Sequence, residues 1–318
     1  MSLHRVDSLT LGVPDLEAAA AFYTDFGLTQ TATPSSDGQL TFSTREGGDQ
    51  LTLAPSRQRR LLEAVFAADD ADDVMRIIAS LQRLGVASDV ETAADGSAAS
   101  SCAVEPATGV RIRIRVASRL AQVPEPAPIY NGPGRYDRIN ARADGVQRNH
   151  RVRPRRLGHF VLGTTNFEQT KAFFTDGLGF KVSDIIRDVG VFLRCSIDHH
   201  NILVQRAPVP FLHHTSWQVE DVDEVGRGAM AMLAVEPTRH VWGLGRHYAG
   251  SNFFYYLKDP AGNVAEYHSD MDCIPEDAIW TPEQLEGAKG LFSWGPPPPP
   301  SFLNPEDLAD LMISEHSQ

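Results

Sequence analysis

Cysteine is scarce in this 318-residue chain: there are three (Cys102, Cys195 and Cys273), an odd number set far apart. So few thiols supply neither a disulfide framework nor a structural zinc site. They fit a reducing compartment, and a cytoplasmic protein is expected. Long apolar runs are missing as well. No stretch approaches the ~18 residues of a membrane span, and no signal-peptide pattern precedes the first strand-like segment. Positive charge is in deficit: 29 Lys and Arg stand against 41 Asp and Glu, for a net charge of -12. Such a surface repels nucleic acid and anionic lipid, which leaves a small molecule as the expected partner. The rest is ordinary for a globular protein, with 42% hydrophobic and 22% charged residues in a chain long enough for two domains.

Histidine, by contrast, is crowded. Of eleven in the chain, four fall in the stretch "DHHNILVQRAPVPFLHHTSW" (198–217), as two His-His pairs fourteen positions apart. The question is which of these rings do chemistry and which pack.

The chain repeats itself. "VDSLTLGVPDLEAAAAFYTDFGL" (6–28) aligns with "LGHFVLGTTNFEQTKAFFTDGLG" (157–179) at a constant offset of 151, matching Leu16 to Phe167, Phe22 to Phe173, Tyr23 to Phe174 and Asp25 to Asp176. The same offset aligns Asp70 and Asp72 with Asp221 and Asp223. Two homologous domains follow. Each half reads as strand, helix, then strands, twice over. In the second half Asn166 caps a helix with Gln169 as its capping-box partner, and Gly177 and Gly179 end it. Strand patterns follow near 181–186, 191–195 and 201–205. A second unit runs from a strand at Leu212 through a helix over 221–233 to the hairpin "NFFYYLKDPAGNVAEYHS", turned at Pro260 and Gly262. The class is α+β: two tandem domains, each of two paired βαβββ units. The expected division is 1–118 for the first domain, 119–156 for a linker ending in "RNHRVRPRR", 157–272 for the second domain and 273–318 for a proline-rich tail. The five-proline run at 296–300 is expected as polyproline II, and a surface-packed spacer suffices to explain it.

Strand alternation sorts one histidine pair. On "LHHTSWQVE", His213 shares a face with Thr215, Trp217 and Val219, which suits packing. His214 shares the other with Ser216, Gln218 and Glu220, which suits a cavity. The repeat gives a second handle: at the same offset His159 meets Ser8 and His214 meets Glu63, and along the closing hairpin Glu266 falls opposite Arg113. The polar set is absent from the first half, so a functional site is expected in the second half only. Two imidazoles and a carboxylate make up the 2-His-1-carboxylate set of non-haem Fe(II) oxygenases. For His159 alone, a hydrogen-bonded histidine at a strand start accounts for the residue equally well. Glu266 lies inside an apolar strand and needs a partner there, and a metal ion would serve. If the hairpin closes symmetrically about Ala261, Tyr256 stands across from Glu266; a core tyrosine in a "FFYY" run is the plainer account.

At this point the sequence resembles a type I extradiol ring-cleavage dioxygenase of the vicinal oxygen chelate superfamily. The resemblance spans nearly the whole chain, and its specific part is carried by "LGHFVLG", "FLRCSIDHHNI", "LHHTSWQVEDVDEVG" and "GLGRHYAGSNFFYYLKDPAGNVAEYHSD" in this order and spacing. It implies metal ligands at His159, His214 and Glu266, with Fe(II) as cofactor and Mn(II) as its alternative. It implies catalytic roles for His200, His247 and Tyr256, and leaves His199 and His213 as structural members of their pairs. The implied reaction is cleavage of a catechol by O2 beside its two hydroxyls, with His200 as acid in O–O cleavage and His247 and Tyr256 bonded to the substrate's second oxygen. It also places Phe192 against the substrate; Val161, two residues after His159 on the same strand face, and Trp242 are expected to join it. Trp242 stands where relatives that take carboxylated catechols have an arginine, so an apolar substituent is expected. The family's "GPGRHG" reads "GLGRHY" here, differing at Leu244 and Tyr248. A homo-oligomer is expected. Two other readings share the fold: a glyoxalase-like isomerase, which would more commonly use a second glutamate, and a metal-free binding module, which would have no use for three ligands together.

Overall fold

A computed structural model describes residues 2–31, 38–94, 96–308 and 310–311. The first half opens with β1 (Leu3–Val13), α1 (Leu16–Asp25), β2 (Thr29–Gln30), β3 (Leu40–Ser43) and β4 (Asp49–Pro55). It continues with β5 (Arg60–Ala68), α2 (Ala71–Arg83), β6 (Ser88–Thr92), β7 (Ala98–Val104) and β8 (Arg111–Val116). One turn of helix, α3 (Asp144–Gln147), interrupts an otherwise irregular connecting segment. The second half repeats the order with β9 (Arg156–Thr164), α4 (Phe167–Ala172), β10 (Lys181–Ile186), β11 (Gly190–Arg194) and β12 (Ile202–Arg206). Then come β13 (Phe211–Gln218), α5 (Val222–Val235), β14 (His240–Arg246), β15 (Phe253–Lys258) and β16 (Val264–Ser269), with β17 (Gln284–Leu285) and α6 (Pro300–Leu303) in the tail.

Each half is one sheet made from two βαβββ units. The first runs β2-β3-β4-β1-β5-β8-β7-β6, the second β14-β15-β16-β13-β9-β12-β11-β10-β17. The units join at a central antiparallel pair, β1 with β5 and β9 with β13. The aligned acidic and amide residues turn out to be helix caps: Asp15, Asp70, Asn166 and Asp221 each accept a backbone N–H of the first turn. The reciprocal half of the expected capping box is not made: Gln169 Oε1 accepts from the Asn166 side-chain Nδ2 at 3.2 Å, while the Asn166 backbone N–H donates to Thr164 Oγ1. The helix that follows is not regular to its end. It passes into a π-turn over Phe173–Gly177, and this extra residue lets Phe173 and Phe174 both bury. Gly179, at φ 79°, leads out of it.

The halves share one core. Phe26 of the first stacks on Tyr267 of the second with ring centres 3.9 Å apart, and Tyr267 Oη donates to the Phe26 carbonyl at 2.7 Å. Phe66 of the first half meets Phe160 at a tilt and Phe174 and Phe180 edge-on. The arginine-rich end of the connecting segment works as a clasp: Arg155 pairs with Glu46 of the first half and with Glu220 of the second. Arg156 holds Asp198 through two bonds of 2.7 and 2.8 Å.

The proline-rich tail is more than a spacer. Its β17 adds to β10 in parallel and covers that edge of the sheet. The proline run is extended only as far as Pro299, because Pro300 opens α6, where a missing N–H costs nothing. Phe302 is buried. The end of the expected tail, 312–318, lies outside the described residues.

Candidate metal centre and cavity

Three strands bring the donors together. His159 comes from β9, His214 from β13 and Glu266 from β16, and the ladder sets Ser216 against both His159 and Glu266. All three side chains are buried, and one ligand atom from each lies within 4.8 Å of the others. His159 Nε2 is 3.2 Å from Glu266 Oε2, and His214 Nε2 is 3.7 Å from the same oxygen. Ligand atoms bonded to one ion at about 2.1 Å and at right angles stand about 3 Å apart, so the spacing fits a shared ion. Glu266 Oε2 is fully buried and accepts no hydrogen bond. An orphaned carboxylate oxygen facing two imidazole nitrogens is the signature of a cation site, and the residues fit the metal that the sequence implies. It is the sole such cluster among the described residues.

The protonation states suit that use. Burial, then the neighbouring His213, holds the His214 imidazole well below its ordinary value. Burial alone would push Glu266 up, but the imidazoles of His159, His247 and His214 reverse this and hold it well below the carboxylate range. An ionised carboxylate beside a neutral His214 ring suits the binding of a dication.

The rings are aimed by a further layer of bonds. His214 Nδ1 lies 2.8 Å from His213 Nδ1, and His213 Nε2 donates to the Phe302 carbonyl at 2.7 Å. That carbonyl fixes the proton on His213 Nε2, so His213 Nδ1 accepts from His214 and leaves His214 Nε2 free for metal. Simple alternation would have turned His213 away to pack; a register shift between Leu212 and His214 instead sets it against the tail. Asn252 Nδ2 donates to Glu266 Oε1 at 3.3 Å. His268, two residues along the strand from Glu266, is hydrogen-bonded to Ser216 Oγ at 2.7 Å and faces His159. Gly158 makes room for it, since a Cβ there would come within 2.4 Å of the His268 ring. Of these, only His268 had a readable signal in its i+2 spacing from Glu266.

On the open side of the donor set lies a cavity of about 180 Å³. Its polar groups include His200, His247 and Tyr256, and its apolar lining includes Val161, Phe192 and Trp242. Tyr256 stands directly across from Glu266 in the β15–β16 ladder, and its hydroxyl donates to His247 Nε2 at 2.8 Å. His200 packs 4.1 Å from the His159 ring and 4.9 Å from Phe192. Burial, then His159, holds its imidazole well below the ordinary value, which favours the neutral ring. The tail closes the cavity. Leu291 offers its carbonyl to His247 Nδ1, Pro296 accepts from Trp242 Nε1 at 2.7 Å, and Phe302 lies 4.7 Å from Tyr256. Ending the chain after Glu286 keeps β17 but strips three ring N–H groups of their acceptors. Iron affinity and kcat/KM are expected to fall about 10–100-fold, the usual effect of losing outer bonds to metal ligands. Metal titration and steady-state kinetics on the shortened chain check this, and wild-type values would refute it.

In the first half the same ladder holds different residues. Ser8 faces Val65 as His159 faces Ser216, and Glu63 faces Thr10 as His214 faces Val161, so the 151-residue offset survives in three dimensions. Arg113 takes the Glu266 position and its Nε meets Glu63 Oε1 at 3.3 Å. A guanidinium supplies there the positive charge that a metal would bring.

The family described as "Glyoxalase/Bleomycin resistance protein/Dioxygenase superfamily" matches residues 5–114 and 156–267, one copy in each half. The chain belongs to this superfamily. Within it, the chain is 32% identical over 310 residues to metapyrocatechase 2 of Cupriavidus necator, covering 95% of this chain and 92% of that protein. It is 26% identical over 283 residues to 3-methylcatechol 2,3-dioxygenase of Pseudomonas putida, covering 84% and 90%. Among solved structures of the superfamily, an Mn(II)-bound glyoxalase from Novosphingobium aromaticivorans superposes with a TM-score of 0.73 at 28% identity, covering 94% of this chain and 95% of that one.

Proposed function

We propose that the chain is an extradiol dioxygenase: it cleaves a catechol-type ring beside the hydroxyl pair and places both atoms of O2 in a 2-hydroxymuconate-type product. The observation that carries this reading is the His159, His214 and Glu266 set with its open side on an apolar cavity that also holds His200, His247 and Tyr256. Bound there, Fe(II), or Mn(II) in its place, would hold both diol oxygens and O2 and lower the pKa of one hydroxyl. A dication beside the single Glu266 carboxylate leaves one net positive charge, which suits a singly deprotonated catechol. His200 Nε2 takes up and returns the proton, while Tyr256, its hydroxyl fixed by donation to His247 Nε2, accepts from the second hydroxyl and holds that oxygen in place. Residues 157–272 carry this chemistry, and 1–118 serve as scaffold.

The glyoxalase named among the solved structures raises the isomerase reading, and the cavity argues against it. Among the described residues its lining includes no Asp or Glu that could act as a carbon-acid base. Fe(II) loading under anaerobic conditions, followed by oxygen uptake with a catechol panel, tests the proposal. One O2 consumed per ring and a yellow ring-opened product are expected; isomerisation of a hemithioacetal with no oxygen uptake would overturn it.

The lining also sets the substrate. Val161, Ile186, Phe192, Leu203, Ala249 and Leu291 present apolar surface. Arg206, at the rim, is occupied by Glu168 at 3.2 Å and by the Phe167 ring. At about 180 Å³ the space falls below the ~300–1,000 Å³ of drug-sized pockets, which favours a single ring. 3-Methylcatechol is expected to show the highest kcat/KM, 2,3-dihydroxybiphenyl a lower one, and 3,4-dihydroxyphenylacetate the lowest. The gap between the first and last is about 10–200-fold, as pocket contacts worth ~1–3 kcal/mol allow. A lead for the carboxylate would mean that Arg206 leaves Glu168 to meet it. No helix among the described residues is long and apolar enough to cross a membrane. We place the protein in the cytoplasm as a homo-oligomer, supported by exposed Val123, Ile129, Tyr130 and Ile139 on the connecting segment.

A further inference from the structure

Behind His200 runs a second chain of bonds that ends on a carboxylate. His200 Nδ1 lies 3.0 Å from His199 Nδ1, and His199 Nε2 lies 3.0 Å from Asp184 Oδ2. Asp184 Oδ1 is already taken: it accepts the backbone N–H of Glu283, in the tail, at 2.7 Å. His199 is fully buried between Phe192 and Trp280, and Asp184 is buried with it. Such a chain has a direction. The carboxylate only accepts, so the ring proton of His199 sits on Nε2. Its Nδ1 is then an acceptor, and His200 must place its own proton on Nδ1. What remains for the cavity is the lone pair of His200 Nε2. The His213–His214 pair is built the same way, with the Phe302 carbonyl in the place of the carboxylate.

Resting on the dioxygenase reading, we infer that Asp184 and His199 are positioning residues that hold His200 in the tautomer whose Nε2 accepts the substrate's proton. The hydroxyl proton moves to Nε2, the cationic ring still donates to His199, and the same proton leaves from Nε2 when the O–O bond breaks.

Asp184→Asn tests this because Glu283 N–H still demands an oxygen. The amide oxygen therefore stays on Glu283, and the NH2 group is turned to His199 Nε2, which must now accept. His199 then donates from Nδ1, His200 accepts at Nδ1, and its proton moves to Nε2, pointing into the cavity. Iron content and KM are expected within about threefold of wild type while kcat falls ~10²–10⁴-fold, the range of general acid–base assistance. His199→Gln should act oppositely, since its amide donates to Asp184 and accepts from His200; its kcat should stand at least tenfold above that of Asp184→Asn. Histidine ¹⁵N spectra of the full chain loaded with diamagnetic Zn(II), assigned with His200→Phe, read the tautomer without turnover. A protonated Nδ1 on His200 in wild type and a protonated Nε2 in Asp184→Asn are expected. A protonated Nε2 in wild type, or wild-type kcat in Asp184→Asn, would overturn the inference. A wild-type protein that cleaves no catechol but shows the expected spectra would instead count against the dioxygenase reading alone.

Discussion

Glu266→Gln is expected to leave the protein folded and without iron. The amide has nearly the shape of the carboxylate and keeps an oxygen for Asn252 Nδ2, 3.3 Å away in the wild type. It removes the one negative charge facing the imidazole nitrogens of His159 and His214. A dication would then sit among neutral groups in a site that is almost fully buried. Leaving a buried charge uncompensated costs about 3–5 kcal/mol, which corresponds to binding weaker by about 10²–10³-fold or more. Wild type should hold one iron per chain and Glu266→Gln close to none, with activity lost in proportion. Glu63→Gln, at the equivalent of His214 in the first half, should keep its iron, because Glu63 faces Arg113 and binds no metal. Elemental analysis of the anaerobically loaded proteins decides it. Two irons in wild type, or a full complement in Glu266→Gln, would mean that the centre is elsewhere.

This asymmetry is legible in the sequence, and the reason is physical. The facing positions of the two central strands are separated by the same number of residues in both halves, so a constant offset in the sequence is a constant register in the ladder, and Ser8 and Glu63 fall where His159 and His214 fall. The Tyr256–Glu266 pairing could be read because the turn between their strands is tight: Asp259 Oδ1 accepts from Ala261 and Asn263, which fixes the register. The roles of His199 and His213 were not legible. A regular strand sends neighbours to opposite faces, and only the local irregularity at Leu212–His214 brings His213 to bear on His214. The acceptors in the tail were hidden for a different reason. Leu291, Pro296 and Phe302 act through carbonyls, which every residue has, so nothing in their side chains announces the role. β17 is two residues long, too short to show a period.

His200→Phe should separate binding from the oxygen chemistry. The phenyl ring keeps the contacts with Phe192 and His159, whose ring centres lie 4.9 and 4.1 Å from that of His200. None of the three donor atoms of the centre belongs to His200, so iron should stay at one per chain. Catechol affinity should change by less than about tenfold, since an apolar wall is retained and only one polar contact of a net worth of ~0.5–1.5 kcal/mol is removed. Folding stability should drop by about 1–3 kcal/mol, because His199 Nδ1 is left buried without its donor. Turnover should suffer far more. With no nitrogen to take the hydroxyl proton and give it back, the oxygen-dependent steps lose about 10²–10⁴-fold. Rapid mixing of the anaerobic enzyme–catechol complex with O2 measures those steps apart from binding. A variant that loses its iron would make His200 a ligand, and one that opens the ring at the wild-type rate would leave Tyr256 and His247, 2.8 Å apart, as the proton carriers.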